Sequence, residues 1–286
     1  MTLDQLRIFI AVAHGEHVGR AARSLNLTQS AVSSSIATLE SRHGVHLFHR
    51  VGRGIELTGE GRAFLAEARA VVTRAAEAQR MLDDLAGLKH GRLSLVASQT
   101  IASYWLPAIL TRFKARYPGI AIEVLVGNSA QAAASVRDGS AELGFVEGTV
   151  DDPALAHWQV GEDALVLIGR DLPENPDAGW LRSTQWVVRE KGSGTRAALE
   201  AALIHRGLTM DDLDIVLTFP SNEAVLNSVA SGAGVSVLST LLAAPLIASG
   251  RIASASFDLP ARPFYALRHK ERYRSKAADA LLEMIG

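Results

Sequence analysis

The chain contains no cysteine. Disulfides, thiol nucleophiles and cysteine-based zinc sites are therefore excluded. It also lacks an excess of either charge: 29 Lys+Arg stand against 30 Asp+Glu, a formal net charge of −1. Whole-chain charge thus says nothing about nucleic acid, and any affinity for it must come from a few placed contacts multiplied by dimerisation. No apolar run approaches the ~20 residues of a membrane span, and no basic start leads into an apolar core. These absences predict a soluble, cytoplasmic protein with no membrane partner. Catalytic constellations are missing too. No paired carboxylates with a base and no nucleophile with an ordered histidine stand out, so no enzyme and no cofactor are expected. Asp151-Asp152 precedes Pro153 and reads as a turn, and His157, His205 and His269 have no sequence-local partner. His43, His46 and His49 recur at three-residue spacing, but their segment leaves a helix for a hairpin with no acidic partner nearby, so no metal is expected.

What is present begins with residues 18–40, VGRAARSLNLTQSAVSSSIATLE. Ala21, Ala22 and Leu25 form the apolar face of a short helix. Asn26 and Leu27 leave room only for an abrupt turn. Thr28 stands where an N-cap belongs. Val32, Ile36 and Leu39 then recur at i, i+4 and i+7 as a buried stripe. The opposite face, with Ser30, Ser34, Ala37 and Ser41 and with Ser33 on its flank, is small and uncharged. Such a face approaches base edges closely, and Gln29 near the helix start can make two bonds to one base. Leu6, Phe9, Ile10 and Ala13 predict an earlier helix over about 2–14. The three helices make the usual setting of a helix-turn-helix. Two short extended runs follow, around a Gly-rich turn carrying Arg50 and Arg53; they read as a wing whose arginines meet phosphates or the minor groove. Residues 1–57 hold 6 Lys+Arg against 4 Asp+Glu and 5 of the 9 histidines, a mild positive bias.

The run from Thr2 to Glu67 resembles the winged helix-turn-helix of LysR-type transcriptional regulators. The matching stretches are the alanine pair at 21–22, LNLTQSAVSSSIATLE at 25–40, GVHLFHR at 44–50 and LTGEGRAFL at 57–65. Members commonly carry bulkier polar residues where this chain has Ser34 and Ser35. The resemblance implies double-stranded DNA as partner, with Thr28, Gln29, Ser30, Ser33, Ser34, Arg50 and Arg53 as its contacts. It also implies contact with RNA polymerase.

Thr58 can cap a further helix over about 59–86. Phe64, Ala68, Val71, Ala75, Ala78, Leu82 and Leu85 alternate four and three apart, a heptad seam that calls for a partner helix. The same helix of a second copy is the natural one, and in the resembling family this linker makes the dimer contact, with tetramers built as dimers of dimers.

From Arg92 the periodicity changes. Strands are predicted at 93–98, 120–127, 141–148, 164–169, 184–190, 214–219, 234–239 and 264–269. Helices are predicted at 104–117, 131–138, 195–206, 223–230 and 272–285. This alternation is that of an α/β class with crossovers. The resemblance implies a two-lobe effector-binding domain similar to type 2 periplasmic binding proteins. The expected domains are 1–58 for DNA, 59–88 as linker and 89–286 for effector. Lobe I takes 91–162 and 266–286, and lobe II takes 163–265.

Ligands of open α/β folds collect beyond the carboxyl ends of strands. Four such junctions are small, polar and uncharged: Ser98-Gln99-Thr100, Gly127-Asn128-Ser129, Gly192-Ser193-Gly194-Thr195 and Pro220-Ser221-Asn222. Neutral donors and helix N-termini suit a small anion, either a carboxylate or an oxyanion such as sulfate or sulfite. The expected effector contacts are Ser98, Gln99, Thr100, Asn128, Ser129, Ser193, Thr195, Ser221 and Asn222. Capping alone would also explain these residue types. Glu147 either meets a cationic ligand group or points outward, and Arg196 faces either the cleft or the other lobe. The form ASQTIASYWLP (97–107) is similar to family members that regulate sulfur assimilation and carbon fixation.

Overall fold

Thr2 starts the first helix, α1 (Leu3–Gly15), through a capping box: its hydroxyl accepts from Gln5 N–H at 3.2 Å and the Gln5 side chain accepts in return. Helix α2 (Val18–Ser24) follows, then α3 (Gln29–His43), which Thr28 caps by accepting from Ala31 N–H at 3.2 Å. Gly44, at φ 66°, ends α3 in the left-handed conformation that glycine adopts without strain. Leu6, Phe9, Val12, Ala21, Ala22, Val32, Ile36 and Leu39 close one core. Strands β1 (Phe48–Val51) and β2 (Gly54–Leu57) pair antiparallel as the wing. Helix α4 (Gly59–Leu85) spans 27 residues, about 40 Å at ~1.5 Å per residue.

The computed structural model describes residues 1–52, 54–85, 87, 90–148, 150–255, 257, 259 and 261–286. They divide into two units, Met1–Leu82 and Asp83–Gly286. The first three helices, the wing and most of α4 share the first unit. Two positions of the expected seam, Phe64 and Ala68, also pack inside the first unit. The Phe64 ring lies 5.1 Å from the Phe9 ring, and Ala68 is buried in the same core. A heptad stripe and a core-facing helical stripe coincide over two turns, so spacing alone does not separate them. Val71, Ala78, Leu82 and Leu85 are exposed and Ala75 is half-buried.

The second unit runs β3 (Gly91–Ser98), a π-helical turn (Ile101–Trp105), α5 (Leu106–Arg116), β4 (Ile120–Gly127), α6 (Ser129–Asp138), β5 (Leu143–Glu147) and β6 (Leu155–Asp163). It continues with β7 (Leu165–Gly169), α7 (Ala178–Ser183), β8 (Gln185–Arg189), α8 (Gly194–Ile204), β9 (Asp214–Phe219), α9 (Asn222–Ala230) and β10 (Ser236–Ser239). Helix α10 (Thr240–Ala248), β11 (Ala253–Ala255), β12 (Arg262–His269) and α11 (Lys276–Ile285) complete it. Lobe I holds the sheet β4-β3-β5-β12-β6, with β3 parallel to β4 and β5 and with β12 antiparallel to its neighbours. Lobe II holds β10-β7-β11 and the parallel pair β8-β9, brought together by a bridge from Trp186 to Val235.

The chain crosses from β6 to β7 at Ala164 and returns before β12. Because Arg262 pairs with Asp163 and Pro263 with Glu162, residues 262–265 belong to the lobe I sheet, not to lobe II as expected. Pro263 and a register shift at Phe264/Tyr265 hid the start of that strand. Helix α11 also begins later than residue 272. Ser275 caps it at Ala278 N–H, while the Arg272 guanidinium donates to the carbonyls of Val136 and Arg137. Tyr273 instead donates to Asp84 at 2.7 Å, and that hydrogen bond holds its phenol above the usual range. Among the described residues no helix is long and apolar enough to cross a membrane.

Candidate DNA surface and interlobe cleft

In the first unit α3 presents Gln29, Ser30, Ser33 and Ser34 outward, all exposed, with the capping Thr28 beside them. Its first turn has no acidic residue, so the positive end of the helix dipole is left open to an anion. The Thr28 and Ser30 hydroxyls lie 3.0 Å apart. Gly19 of α2 lets the Gln29 amide come close: a Cβ added there would stand 2.9 Å from Gln29 Nε2. Arg50 is exposed on β1. Arg53 lies outside the described residues. The wing is held by a residue that sequence reasoning used only as a boundary. The Glu40 carboxylate accepts from Leu47 N–H at 2.7 Å and Phe48 N–H at 3.1 Å, tying the end of α3 to the start of β1.

In the second unit the four polar junctions meet. Gln99 of lobe I donates to Pro220 O at 2.5 Å and accepts from Asn222 N–H at 2.9 Å. Asn222 Nδ2 donates to Thr100 Oγ1 at 3.1 Å. Asn128 caps α6 through Gln131 N–H and donates to Glu190 Oε1 at 3.0 Å. Gly194, at the start of α8, approaches lobe I so closely that a Cβ there would lie 2.9 Å from both Glu147 O and Ser129 Oγ. Ser221 caps α9. Ser193 is buried at the start of α8 and makes no capping bond with its side chain. Ser98 is 2% exposed, and its Oγ has no hydrogen-bond partner among the described residues.

Sequence reasoning missed the buried charges around these hydroxyls. Arg262 of β12 donates to Asp163 at 2.5 Å and to Thr195 Oγ1 at 3.0 Å. Its Nη1 stands 3.9 Å from Glu147 Oε1. Glu147 is 5% exposed and accepts from Ser129 Oγ at 3.1 Å, so it is paired inside the domain and does not point outward. Arg189, 3% exposed, holds Glu190 with two bonds. Burial alone would raise the Glu190 carboxyl; the bonds from Arg189 and Asn128 outweigh it and hold it below the usual range. Arg196 turns back on lobe II, donating to Glu200 at 2.9 Å and Arg189 O at 3.0 Å. The signal available in sequence was positional: a charged pair, Arg189-Glu190, stands at the end of the apolar strand, another, Glu162-Asp163, at the first crossing, and a lone Arg262 at the second. Among the described residues no cluster of three His, Asp or Glu could hold a metal.

Residues 3–62 match the bacterial regulatory helix-turn-helix proteins of the lysR family, and residues 86–286 match the LysR substrate binding domain. The chain is 30% identical to the HTH-type transcriptional regulator YeiE of Escherichia coli (strain K12), over 99% of this chain and 96% of that one. It is 31% identical to a "Probable RuBisCO transcriptional regulator" of Nostoc sp., over 99% of this chain and 87% of that one. Full-length CbnR, solved with its target DNA, superposes with a TM-score of 0.68 at 22% identity, covering 100% of this chain and 99% of that one. The Synechocystis PCC6803 CcmR regulatory domain in complex with 2-PG superposes with a TM-score of 0.62 at 26% identity, covering 68% of this chain and 96% of that one.

Proposed function

The chain belongs to the lysR family of bacterial regulatory helix-turn-helix proteins and is a DNA-binding transcriptional regulator with an effector-binding domain, and on that premise we propose that its effector is a small anion held between the two lobes. The carrying observation is Ser98: a hydroxyl, buried and without a partner among the described residues, at the end of β3 beside Gln99 and Thr100, which bond lobe II. A buried donor without a partner is costly unless a ligand completes it. The 2-PG complex of CcmR supports the anion class. Effector contacts are Ser98, Gln99, Thr100, Asn128, Ser129, Ser193, Thr195, Ser221 and Asn222. Binding favours one arrangement of the lobes and thereby shifts the population of DNA-binding forms.

The test is thermal shift of the full chain with 2-PG and with sulfate, in wild type and Ser98→Ala. Binding raises apparent stability by mass action. Ser98→Ala loses no hydrogen bond of the unliganded chain, so its own melting point stays level or rises. Its affinity should fall about 10-fold or more, the worth of one bond to a charged group at ~1.5–3 kcal/mol. Equal affinities in the two proteins would remove Ser98 from the site.

On DNA, Thr28, Gln29, Ser30, Ser33 and Ser34 meet the major groove, and Arg50 and Arg53 meet the backbone or the minor groove. Gln29→Ala and Ser33→Ala should reduce site discrimination more than non-specific binding. Arg50→Ala should weaken all sequences alike and flatten the salt slope by about 1. Fluorescence anisotropy against salt separates the two outcomes, and an unchanged slope would exclude Arg50 as a phosphate contact. The functional modules are the 1–58 DNA-binding domain, the 59–88 linker and the 89–286 effector domain. The exposed Val71, Ala78, Leu82 and Leu85 support a dimer through α4, with tetramers as dimers of dimers. The protein acts in the cytoplasm and meets RNA polymerase at its promoters.

A further inference from the structure

Arg189 is placed as anion-binding arginines are placed. It ends strand β8, it is 3% exposed, and its guanidinium bonds Glu190 and Asn222, whose side chains in turn meet lobe I. Every side of the fork is nevertheless occupied from within the chain. Nε donates to Glu190 Oε2 at 2.8 Å and Nη2 to Glu190 Oε1 at 3.0 Å, the bidentate geometry that grips a carboxylate most strongly. Nη1 donates to Asn222 Oδ1. From lobe I, Asn128 Nδ2 adds a third donor to Glu190 Oε1 at 3.0 Å. One carboxylate of the chain thus sits between a fixed cationic fork of lobe II and an amide of lobe I. The donors behind it are buried, whereas the Glu190 side chain is 25% exposed. Two further contacts hold the lobes together beside it, from Gln99 to residues 220 and 222 and from Ala130 N–H to Gly192 O at 3.2 Å.

We propose that Glu190 is a resident occupant of the cleft's anion position, and that an anionic effector binds by displacing its carboxylate from Arg189 and Asn128. This rests on the small-anion reading of the cleft. The effector then pulls on both lobes through donors that Glu190 already uses to join them, so the unliganded domain is held by its own carboxylate. It follows that the chain binds a weak or singly charged anion poorly. An effector must offer more acceptor oxygens than one carboxylate, as a phosphate or a dicarboxylate does, to win the exchange.

The experiment is calorimetric titration of the full chain with 2-PG and with inorganic sulfate. Three variants are compared with wild type: Glu190→Gln, Glu190→Asp and, as a charge control, Glu200→Gln on the exposed side of α8. Glu190→Gln cannot make the paired acceptor contact to the fork, and affinity for at least one probe should rise 10-fold or more. Glu190→Asp keeps the charge but is one methylene too short to reach both donors, so it should also tighten binding, by a smaller factor. It decides the matter if Glu190→Gln folds poorly with Arg189 left unpaired. Glu200→Gln removes the same charge elsewhere and should leave affinity within twofold of wild type. If wild type binds a probe and both Glu190 variants bind it equally or more weakly, displacement is overturned while the small-anion reading stands. If Glu200→Gln tightens binding as much as Glu190→Gln, the effect is general charge and displacement is again overturned. If no protein binds either probe, both readings fall together.

Discussion

Arg262→Met should cost the effector domain roughly 3–5 kcal/mol, the range found when one partner of a buried ion pair is removed. Arg262 is 4% exposed and stands against two carboxylates, Asp163 at 2.5 Å and Glu147 at 3.9 Å. Methionine would fill most of the volume and leave both acids buried without their cation. The magnitude follows from that asymmetry. Replacing the whole group by apolar residues can be neutral, because the desolvation of every charge is then avoided; removing the cation alone avoids only its own. The position adds to the cost. Asp163 ends β6 at the first crossing and Arg262 opens β12 at the second, and each also bonds a hydroxyl of lobe II, Ser239 at 3.0 Å and Thr195 at 3.0 Å. The cluster therefore joins the two crossings to both lobes. Arg262→Lys keeps the charge without the fork and should lose less than half as much. Urea titration of the full chain resolves the outcome. The transition that belongs to Asp83–Gly286 should shift, while tryptophan-free Met1–Leu82, followed by helical signal, should not. A Met variant within about 1 kcal/mol of wild type would mean that solvent already relieves the two acids.

The features legible in the sequence are those whose physics is local. The cap at Thr28 and the Val32–Ile36–Leu39 stripe are settled within a few residues, α3 starts right after that cap, and α1, Leu3–Gly15, lies within a residue of the expected 2–14. The same holds for β4 and β9, whose predicted bounds are the observed ones. What stayed hidden depends on partners distant in the chain. Strand β6 is half-buried along one face and carries Gly161, so its pattern is weak until β12 lies against it. Helix α10 is apolar nearly all round and contains Pro245, which defeats a search for period and punctuation alike. The cleft was legible in its hydroxyls and amides because strand ends and helix starts select them. Its charges were not, since Arg189 and Arg262 are meaningful only through Glu190, Asp163 and Glu147, and the last two come from other strands. The α4 seam shows the opposite limit of local pattern. A true apolar period was assigned wholly to a second copy, although its first two positions face the chain's own core.

Gly61→Ala should destabilise the DNA-binding unit by about 3 kcal/mol or more, against the sign that helix propensity alone would give. Propensity favours alanine inside a helix by ~1 kcal/mol. Here a Cβ would stand 2.0 Å from Leu47 O and 2.9 Å from Leu57 Cδ2. The first of these is backbone, which cannot rotate away as a side chain does. That carbonyl is also engaged, accepting from Thr58 N–H at 3.0 Å. Thr58 in turn caps α4 by accepting from Gly61 N–H at 2.9 Å, and its hydroxyl donates to His46 O at 2.7 Å. The residues before β1 are held from the other side by Glu40 of α3. A methyl at 61 must therefore push α4 off the wing or the wing off α3, and either movement breaks caps worth ~1 kcal/mol each beyond the steric cost. Gly59, two residues earlier on the same helix, meets nothing within 4 Å and provides the control. Gly59→Ala should be neutral or stabilising by up to ~1 kcal/mol. Thermal melts of the pair, with DNA binding measured beside them, separate the two effects. Gly61→Ala should lower the melting point of the first unit and weaken specific and non-specific DNA binding together, because it displaces the wing and α3 as bodies and removes no contact to a base. If both alanine variants melt alike, the close approach at Leu47 relaxes freely and α4 does not hold the wing in place.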